Sequence, residues 1–405
     1  MNLLTLSIAG LRDNRLTHAL NCFLLALGLG TVTFLFLFGG ALADRIVRDA
    51  HGIDLVVGAK GSPLQLVLST VFQADIPTGN IPLDEAQALL RNPMVERGVP
   101  MALGDSVKGY RIVGTTSDYL DFYNGKLAEG RMWDQPMEVV LGADAARGLK
   151  LGIGDTFVGA HGVSGNGPLH AALPYRVTGI LARTGSVIDR LALTPVESVW
   201  KVHEEHSHHT GMEADMPAGQ APPREVTAML LHVRTPLAVV TMPYQINTQT
   251  RMQAAVPAAE AARLFSLLGF GLNVFRVIAG ILIVSAGLGM LIALISRMRE
   301  RRQEMAVFRL LGASRGQLLA IVLIEAVLLT LIGAAMGLAL GHAAAWAMVK
   351  GVPAGNALTE MSMRWRPSEW LIPAMALGVG FAAALFPAIT AYRNEVSVAL
   401  AENPG

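Results

Sequence analysis

The sequence is poor in charged residues and nearly without cysteine. Asp, Glu, Lys and Arg make up only 16% of its 405 residues, whereas hydrophobic residues make up 52%. A soluble chain of this length can bury a large core without being so apolar, so the composition favours a membrane protein. The single cysteine, Cys22, lies in an apolar run, which excludes a disulfide framework and a cysteine metal site. The net charge of +1 gives no indication of a nucleic-acid partner.

The sequence also lacks the motifs of an enzyme. It contains no Gly-x-x-x-x-Gly-Lys-Ser/Thr phosphate loop, so any nucleotide must be bound by another polypeptide. Neither a Ser/His/Asp arrangement nor a pair of catalytic carboxylates can be placed. We therefore expect a non-catalytic chain that has no cofactor of its own.

Long apolar stretches are present instead. A helix needs about 20 mostly apolar residues to cross roughly 30 Å of hydrocarbon. Glycine is frequent in these stretches, as is typical of membrane helices that pack closely. The predicted transmembrane helices are residues 19–43, 266–296, 318–349 and 369–391.

Arginines predict the orientation of these helices. Arg12 and Arg15 precede the first span, six arginines lie in 297–317, and Arg393 follows the last span. The positive-inside rule places both termini and 297–317 in the cytoplasm. A cleaved signal peptide is the alternative for the first span, but its apolar run of about 24 residues exceeds the roughly 7–15 of a signal sequence. The remaining predicted segments are a cytoplasmic amphipathic helix (1–18), an extracytoplasmic domain (44–265), a cytoplasmic helix (297–317), an extracytoplasmic loop (350–368) and a cytoplasmic tail (392–405).

The stretch 44–265 has ordinary polar composition and is long enough for an independent domain. Residues 107–116 and 174–183 are typical of strands bounded by glycine, and 83–92 is typical of a short helix. Residues 210–225 form a Pro- and Gly-rich stretch that favours a loop. The predicted fold class is an α-helical membrane protein with four transmembrane helices, and a large α+β extracytoplasmic domain is inserted between the first two.

Several motifs, in order along the chain, resemble the permease family of MacB, FtsX and LolC, the type VII ABC transporter subunits. The most specific is "RERRQEMAVFRLLGASRGQLLAIVLIEAVLLTLIGAAMGLALG" (Arg299–Gly341). The others match the family's first helix or its MacB-like periplasmic core domain: residues 6–30, 127–133, 138–157, 175–181 and 189–200.

The resemblance implies that 297–317 is a coupling helix that docks on a cytoplasmic ATPase. Apolar residues at helical spacing and a charged surround also suit an interface. Gly312 can adopt the positive φ that ends a helix, and Ser314 can cap the next one. A helix lying on lipid headgroups is the alternative. The predicted coupling residues are Arg301, Glu304, Met305, Phe308, Arg309, Leu311 and Gly312.

The resemblance further implies the partners and the function. We expect a dimer of cytoplasmic ABC ATPases that bind ATP and Mg²⁺, a second permease copy, identical or not, and a periplasmic partner protein. ATP hydrolysis by these ATPases would move the periplasmic domain, for export, extraction or handling of a substrate at the bacterial inner membrane. The alternatives are an FtsX-like signalling scaffold that activates a periplasmic partner, and a lipoprotein-releasing permease.

A histidine-rich run, "HEEHSHH", suggests a metal site. It contains His203, His206, His208 and His209, and zinc accepts nitrogen and oxygen ligands. If the run binds zinc, the system handles or senses a transition metal. A solvated polar loop is the alternative interpretation.

Two polar residues lie within the third predicted span. A carboxylate in a membrane is costly, so Glu325 should face protein or water. We expect a structural hydrogen bond from Glu325 rather than a proton relay, and we expect His342 to pack at a helix interface.

Overall fold

The computed structural model describes residues 15–162, 173–210, 224–300, 307, 312–350 and 365–393. The chain divides into two compact units. Leu42–Leu267 forms the first, here called the α/β unit, and Met1–Ala41 with Leu268–Gly405 forms the second, here called the helical unit.

One mixed sheet organises the α/β unit. Its strands run in the order β13-β1-β12-β3-β4-β10-β6-β9-β5, with β7 on β9 and β8 on β3, and β11 pairs with β2 separately. The strands are β1 (Leu55–Ala59), β2 (Ile81–Pro82), β3 (Val95–Val107), β4 (Tyr110–Thr115), β5 (Leu127–Gly130), β6 (Glu138–Leu141), β7 (Thr156–Phe157), β8 (Ala160–His161), β9 (Tyr175–Leu181), β10 (Leu191–Pro195), β11 (Glu225–Val226), β12 (Ala228–Val233) and β13 (Met252–Ala255).

Alternate residues of these strands pack into apolar clusters on opposite faces of the sheet. In β1, Val56 joins one cluster while Leu55 and Val57 join another, as the two-residue period of a strand requires. In β12, Leu230 and Leu231 divide in the same way. Both faces are therefore covered, and the sheet is the core of the unit.

Strand β3 connects the two halves of the sheet and contains a β-bulge. It pairs antiparallel with β12 in its first half and with β4 in its second, and the register with β4 shifts between Leu103 and Ser106. A bulge changes the face to which the following side chains point. Accordingly, Leu103 packs in one apolar cluster, whereas Val107 packs in a cluster on the opposite face.

Short helices cover the sheet, and their bounds test the sequence predictions. The helix predicted over 83–92 is observed as an α-helix followed by a 3-10 turn at Leu89–Arg91, and 107–116 contains the hairpin turn from β3 to β4 rather than one strand. The alternative of a loop for the histidine run is wrong, because the run lies in a helix that continues to Thr210. The helices are α2 (Pro63–Thr70), α3 (Leu83–Ala88), α4 (Ala143–Leu149), α5 (Val196–Thr210) and α6 (Pro236–Gln249).

Long apolar helices form the helical unit. They are α1 (Arg15–Asp49), α7 (Pro257–Glu300), α8 (Arg315–Lys350) and α9 (Leu371–Arg393), and α1 and α7 continue into the α/β unit's part of the chain. Within the described residues, four helices are long and apolar enough to cross a membrane.

Glycines bring α1 and α8 together. A Cβ added at Gly337 would lie 2.8 Å from Leu29 Cβ and 3.1 Å from the carbonyl oxygen of Ala26. A Cβ added at Gly341 would lie closer still to Thr33. Small residues at such points let helix backbones approach, which is how membrane helices gain van der Waals contact.

The start of α8 has the local signals that its sequence predicts. Gly312 has a φ of +95°, a conformation that favours glycine. The Gln317 backbone N–H donates to Ser314 Oγ (3.2 Å), and the Ser314 N–H donates to Gln317 Oε1 (2.8 Å). This reciprocal capping box fixes where α8 begins.

Candidate functional site

Asp105 and His161 face each other across two paired strands. They are partners in the antiparallel β3–β8 ladder, and Asp105 Oδ1 lies 3.4 Å from His161 Nδ1. The Asp105 side chain is only 2% exposed, whereas that of His161 is 55% exposed. The Gly162 N–H donates to the Gly104 carbonyl oxygen (2.8 Å), and Ser106 Oγ donates to that of Gly162 (2.5 Å). These bonds hold the end of β8 against the bulge of β3.

Helix α5 adds His203 to this pair. The side chains of Val199 and Val202 pack into the core and fix the helix on the sheet. The His203 ring meets that of His161 edge to face, with centroids 5.7 Å apart. A Cβ at residue 104 would lie 2.8 Å from His203 Nε2, so Gly104 makes room for the imidazole.

The three residues offer ligand atoms that lie within 4.8 Å of one another. They line a cavity of about 440 Å³, whose wall also contains Ile76, Asn80 and Arg111. Asp105 is buried, His203 is half-buried and His161 is exposed. The cluster therefore lies where the protein interior meets the cavity.

Two further ionisable groups lie near the cluster. The Arg111 guanidinium donates to the carbonyl oxygens of Ser69 and Asp75, and its burial lowers its pKa although the Asp75 charge opposes this. Burial raises the pKa of Tyr175, and the nearby Asp105 carboxylate adds to the effect. Tyr175 is therefore a neutral phenol at physiological pH, and Arg111 supplies positive charge to the cavity wall.

Of the four predicted metal-binding histidines, the structure describes the side chain of His203. It brings His203 to Asp105 and His161, whereas the side chains of His206, His208 and His209 lie outside the described residues, although their backbone is helical. No local pattern in the sequence points to Asp105 or His161. Their only signal is the β3–β8 register, which joins residues far apart in the sequence.

The predicted coupling residues are largely beyond the described ranges. Arg301, Glu304, Met305, Phe308, Arg309 and Leu311 lie outside the described residues. Between them, Val307 is helical and exposed, and Gly312 forms the turn before α8. Their docking role stays a prediction.

The intramembrane polar residues have partners within the helical unit. Glu325 Oε1 lies 3.7 Å from His18 Nε2, and both side chains are buried. His342 Nε2 lies 2.9 Å from Glu369 Oε2, and its ring stacks on Trp365. These contacts fit structural roles for Glu325 and His342, and the role of Glu325 stays a prediction.

Two family models match this chain one after the other. Residues 19–262 match the MacB-like periplasmic core domain, and residues 276–396 match the FtsX-like permease C-terminal domain. The first model alone covers more than half of the sequence, and the order of the two confirms the resemblance seen in the motifs.

Comparison with curated proteins and with solved structures gives several similar chains. The chain is 26% identical over 363 residues to the macrolide export ATP-binding/permease protein MacB of Nitrobacter winogradskyi, covering 83% of this chain and 51% of that protein. It is 41% identical over 68 residues to the uncharacterized ABC transporter permease YknZ of Bacillus subtilis, 17% of each chain. The periplasmic region of MacB from Actinobacillus actinomycetemcomitans aligns at a TM-score of 0.34 and 12% identity, over 54% of this chain and 97% of that one.

The chain spans about half the length of the MacB relative it matches. An apolar helix leads into the core domain, and the permease domain follows it. The chain therefore belongs to the ABC transporter permease family that joins a MacB-like periplasmic core domain to an FtsX-like permease domain.

Proposed function

We propose that this chain is the permease subunit of a MacB-like ABC transporter, in which a separate ATPase drives motion of the periplasmic core domain. The observation that carries the proposal is the succession of the two family domains along the chain. That motion would export, extract or hand over a substrate on the far side of the membrane.

The connections of the α/β unit support a mechanical role. Helix α1 leads into β1, and β13 leads into α7. Strands β1 and β13 are antiparallel neighbours, with Val56 opposite Ala255 and Ala59 opposite Met252. Both connecting helices therefore act on one hydrogen-bonded strand pair, so a displacement of either helix reaches the sheet at the same edge.

The segment between α7 and α8 supports the entry of force from an ATPase. Helix α7 extends to Glu300, and the Gly312 turn and the Ser314–Gln317 capping box start α8 sharply. A segment joined at both ends to long helices can transmit a push into both. In this proposal, two ATPases holding ATP and Mg²⁺ act on two permease copies.

The coupling role is tested with Phe308→Asp in the full chain, purified with the ATPase that accompanies it from the native host. Gln303→Asp is the matched control, because it adds the same charge on the predicted polar face. We expect Phe308→Asp to lower permease-stimulated ATP hydrolysis by about tenfold or more, since an aromatic anchor at an interface contributes about 2 kcal/mol.

The control should hydrolyse ATP like the wild type, and both variants should be equally abundant in membranes. Full stimulation by Phe308→Asp, or a chain that is active without any ATPase, would contradict the proposal. Stimulation that depends on a periplasmic enzyme rather than on a transported molecule would indicate the signalling alternative.

The proposed location is a bacterial inner membrane with both termini in the cytoplasm. Single cysteines at two exposed turn positions, Lys108→Cys and Ser314→Cys, test this, because the native Cys22 is buried. A membrane-impermeant maleimide should label Lys108→Cys in spheroplasts and Ser314→Cys only after lysis. The reverse pattern would overturn the orientation.

A further inference from the structure

We propose that Asp105, His161 and His203 bind a divalent transition-metal ion of the zinc class. Two imidazoles and one carboxylate form a ligand set that zinc accepts, with metal–ligand bonds of about 2.0–2.2 Å. The site differs from the histidine run of the sequence, because only His203 belongs to both.

The spacing of the ligands fits such an ion. In a tetrahedral zinc site, bonds of this length place neighbouring ligand atoms about 3.3 Å apart. Asp105 Oδ1 and His161 Nδ1 are already 3.4 Å apart, and all three ligand atoms lie within 4.8 Å. Metal binding would draw the ligand atom of His203 closer to the other two.

Strand pairing and helix packing fix the positions of the three residues. The β3–β8 ladder sets Asp105 opposite His161, and the packing of α5 on the sheet sets His203. Gly104 lets the His203 imidazole approach β3, and the bulge of β3 lies between Leu103 and Ser106. Bulges and strand glycines are typical of points where a side chain is re-aimed toward a ligand.

The buried Asp105 carboxylate supplies negative charge that would attract a cation. A bound divalent ion would add positive charge directly beside this carboxylate. Three protein ligands leave one tetrahedral position, which would face the cavity. Arg111 on the cavity wall would favour water, hydroxide or a small anion as the fourth ligand.

Another histidine and aspartate pair of the α/β unit provides a matched control. His232 Nδ1 lies 2.7 Å from Asp54 Oδ2, closer than the corresponding atoms of His161 and Asp105. Among the described residues this pair belongs to no three-ligand group. Comparing the two pairs therefore separates a metal site from an ordinary histidine–carboxylate contact.

The test uses the full-length chain in detergent, stripped with a chelator and titrated with Zn²⁺ by calorimetry. We expect one ion per chain. His161→Ala and His203→Ala should each weaken Zn²⁺ binding by about 100-fold. Mutating a residue that only hydrogen-bonds to a metal ligand already lowers metal affinity by about 10- to 100-fold. His232→Ala and the triple variant His206→Ala/His208→Ala/His209→Ala should bind like the wild type. Because binding needs no ATPase, the result is independent of the proposed coupling.

Loss of binding could also result from unfolding of a variant, so a second test looks for a new spectroscopic band. His161 is half exposed, so His161→Cys should fold normally and offer a thiolate, which zinc-type ions also bind. With Co²⁺ in place of Zn²⁺, this variant should show a new sulfur-to-cobalt charge-transfer band, and His232→Cys should not. Wild-type protein that does not bind Zn²⁺, loss of binding only in the triple variant, or no new band in His161→Cys would each overturn the proposal.

Discussion

In the α/β unit, strands carry apolar clusters on both faces, whereas in the helical unit the helices meet at glycines and expose large apolar side chains. Leu55, Val56 and Val57 are fully buried in consecutive positions of one strand. By contrast, Val277, Ile281 and Val284 in the middle of α7 are about 60% exposed. Hydrophobic surface is buried inside the α/β unit, whereas in the helical unit much of it lies on the outer surface.

This difference indicates that the α/β unit is suited to water and the helical unit to lipid. A contiguous apolar surface of this kind is costly in water but not in lipid, where association depends on close packing instead. The glycine contacts between α1 and α8 supply that packing. The two units therefore owe their stability to different forces, and the predictions below test this.

The largest expected effect comes from placing one charge on two exposed valines. Val284 in α7 is 61% exposed and Val240 in α6 is 73% exposed. If α7 faces lipid, Val284→Arg should cost about 3 kcal/mol, the insertion penalty for arginine at the centre of a membrane helix. Val240→Arg should change stability by less than about 0.5 kcal/mol, as is usual for a surface position in water. The yield of membrane-integrated protein and its thermal unfolding are measured for each variant. Equal losses in the two variants would contradict the view that α7 faces lipid.

A smaller effect should follow from filling a glycine contact. At Gly337 a side chain would meet Leu29 and the backbone of Ala26, so Gly337→Leu should destabilise the helical unit by about 2 kcal/mol through overpacking. The control is Gly378→Leu, because a Cβ at Gly378 in α9 has nothing within 4 Å. Thermal unfolding followed by size-exclusion chromatography compares them. Similar losses in the two variants would show that helix contact is not the cause.

The smallest effect belongs to an ion pair of the α/β unit. Hydrogen bonds from Arg131, with backbone N–H groups of Asp134 and Gln135, lower the pKa of Glu138 from 4.5 to about 2. Because the folded-state pKa is depressed, the stabilisation is fully present above about pH 4.5 and is lost as the pH falls toward 2. Since Arg131 is half exposed, solvent screening keeps the effect small.

The variant Glu138→Gln sharpens that prediction. Between about pH 6 and pH 3, the wild type should lose more thermal stability than Glu138→Gln, because the variant has no carboxylate to protonate. Parallel pH profiles of the melting temperature would show that the pair does not stabilise the α/β unit.

Local patterns in the sequence predict much of this fold. Apolar length predicts α1, α7, α8 and α9, and the residues Gly312 and Ser314 predict the turn and cap before α8. These features depend on neighbouring residues along the chain, whose chemistry is visible without tertiary structure.

The candidate site depends on pairings that local patterns do not contain. Asp105 meets His161 only through the β3–β8 register, and a strand register is set by tertiary packing. The polar composition of the histidine run also suits a loop. The helical signal lies before it, in the spacing of Val196, Val199 and Val202, whose side chains pack on the sheet. Those valines fix α5 on the sheet and so place His203 beside Asp105.

The adjacency of β1 and β13 has a consequence for how such a chain can be assembled. Directly opposite residues of antiparallel strands have Cα atoms only about 5 Å apart, so the chain enters and leaves the sheet at nearly the same point. Insertions with adjoining ends disturb their hosts little. By the same principle, we expect that a short linker can join residues 54 and 257 when the sheet is produced without α1 and α7.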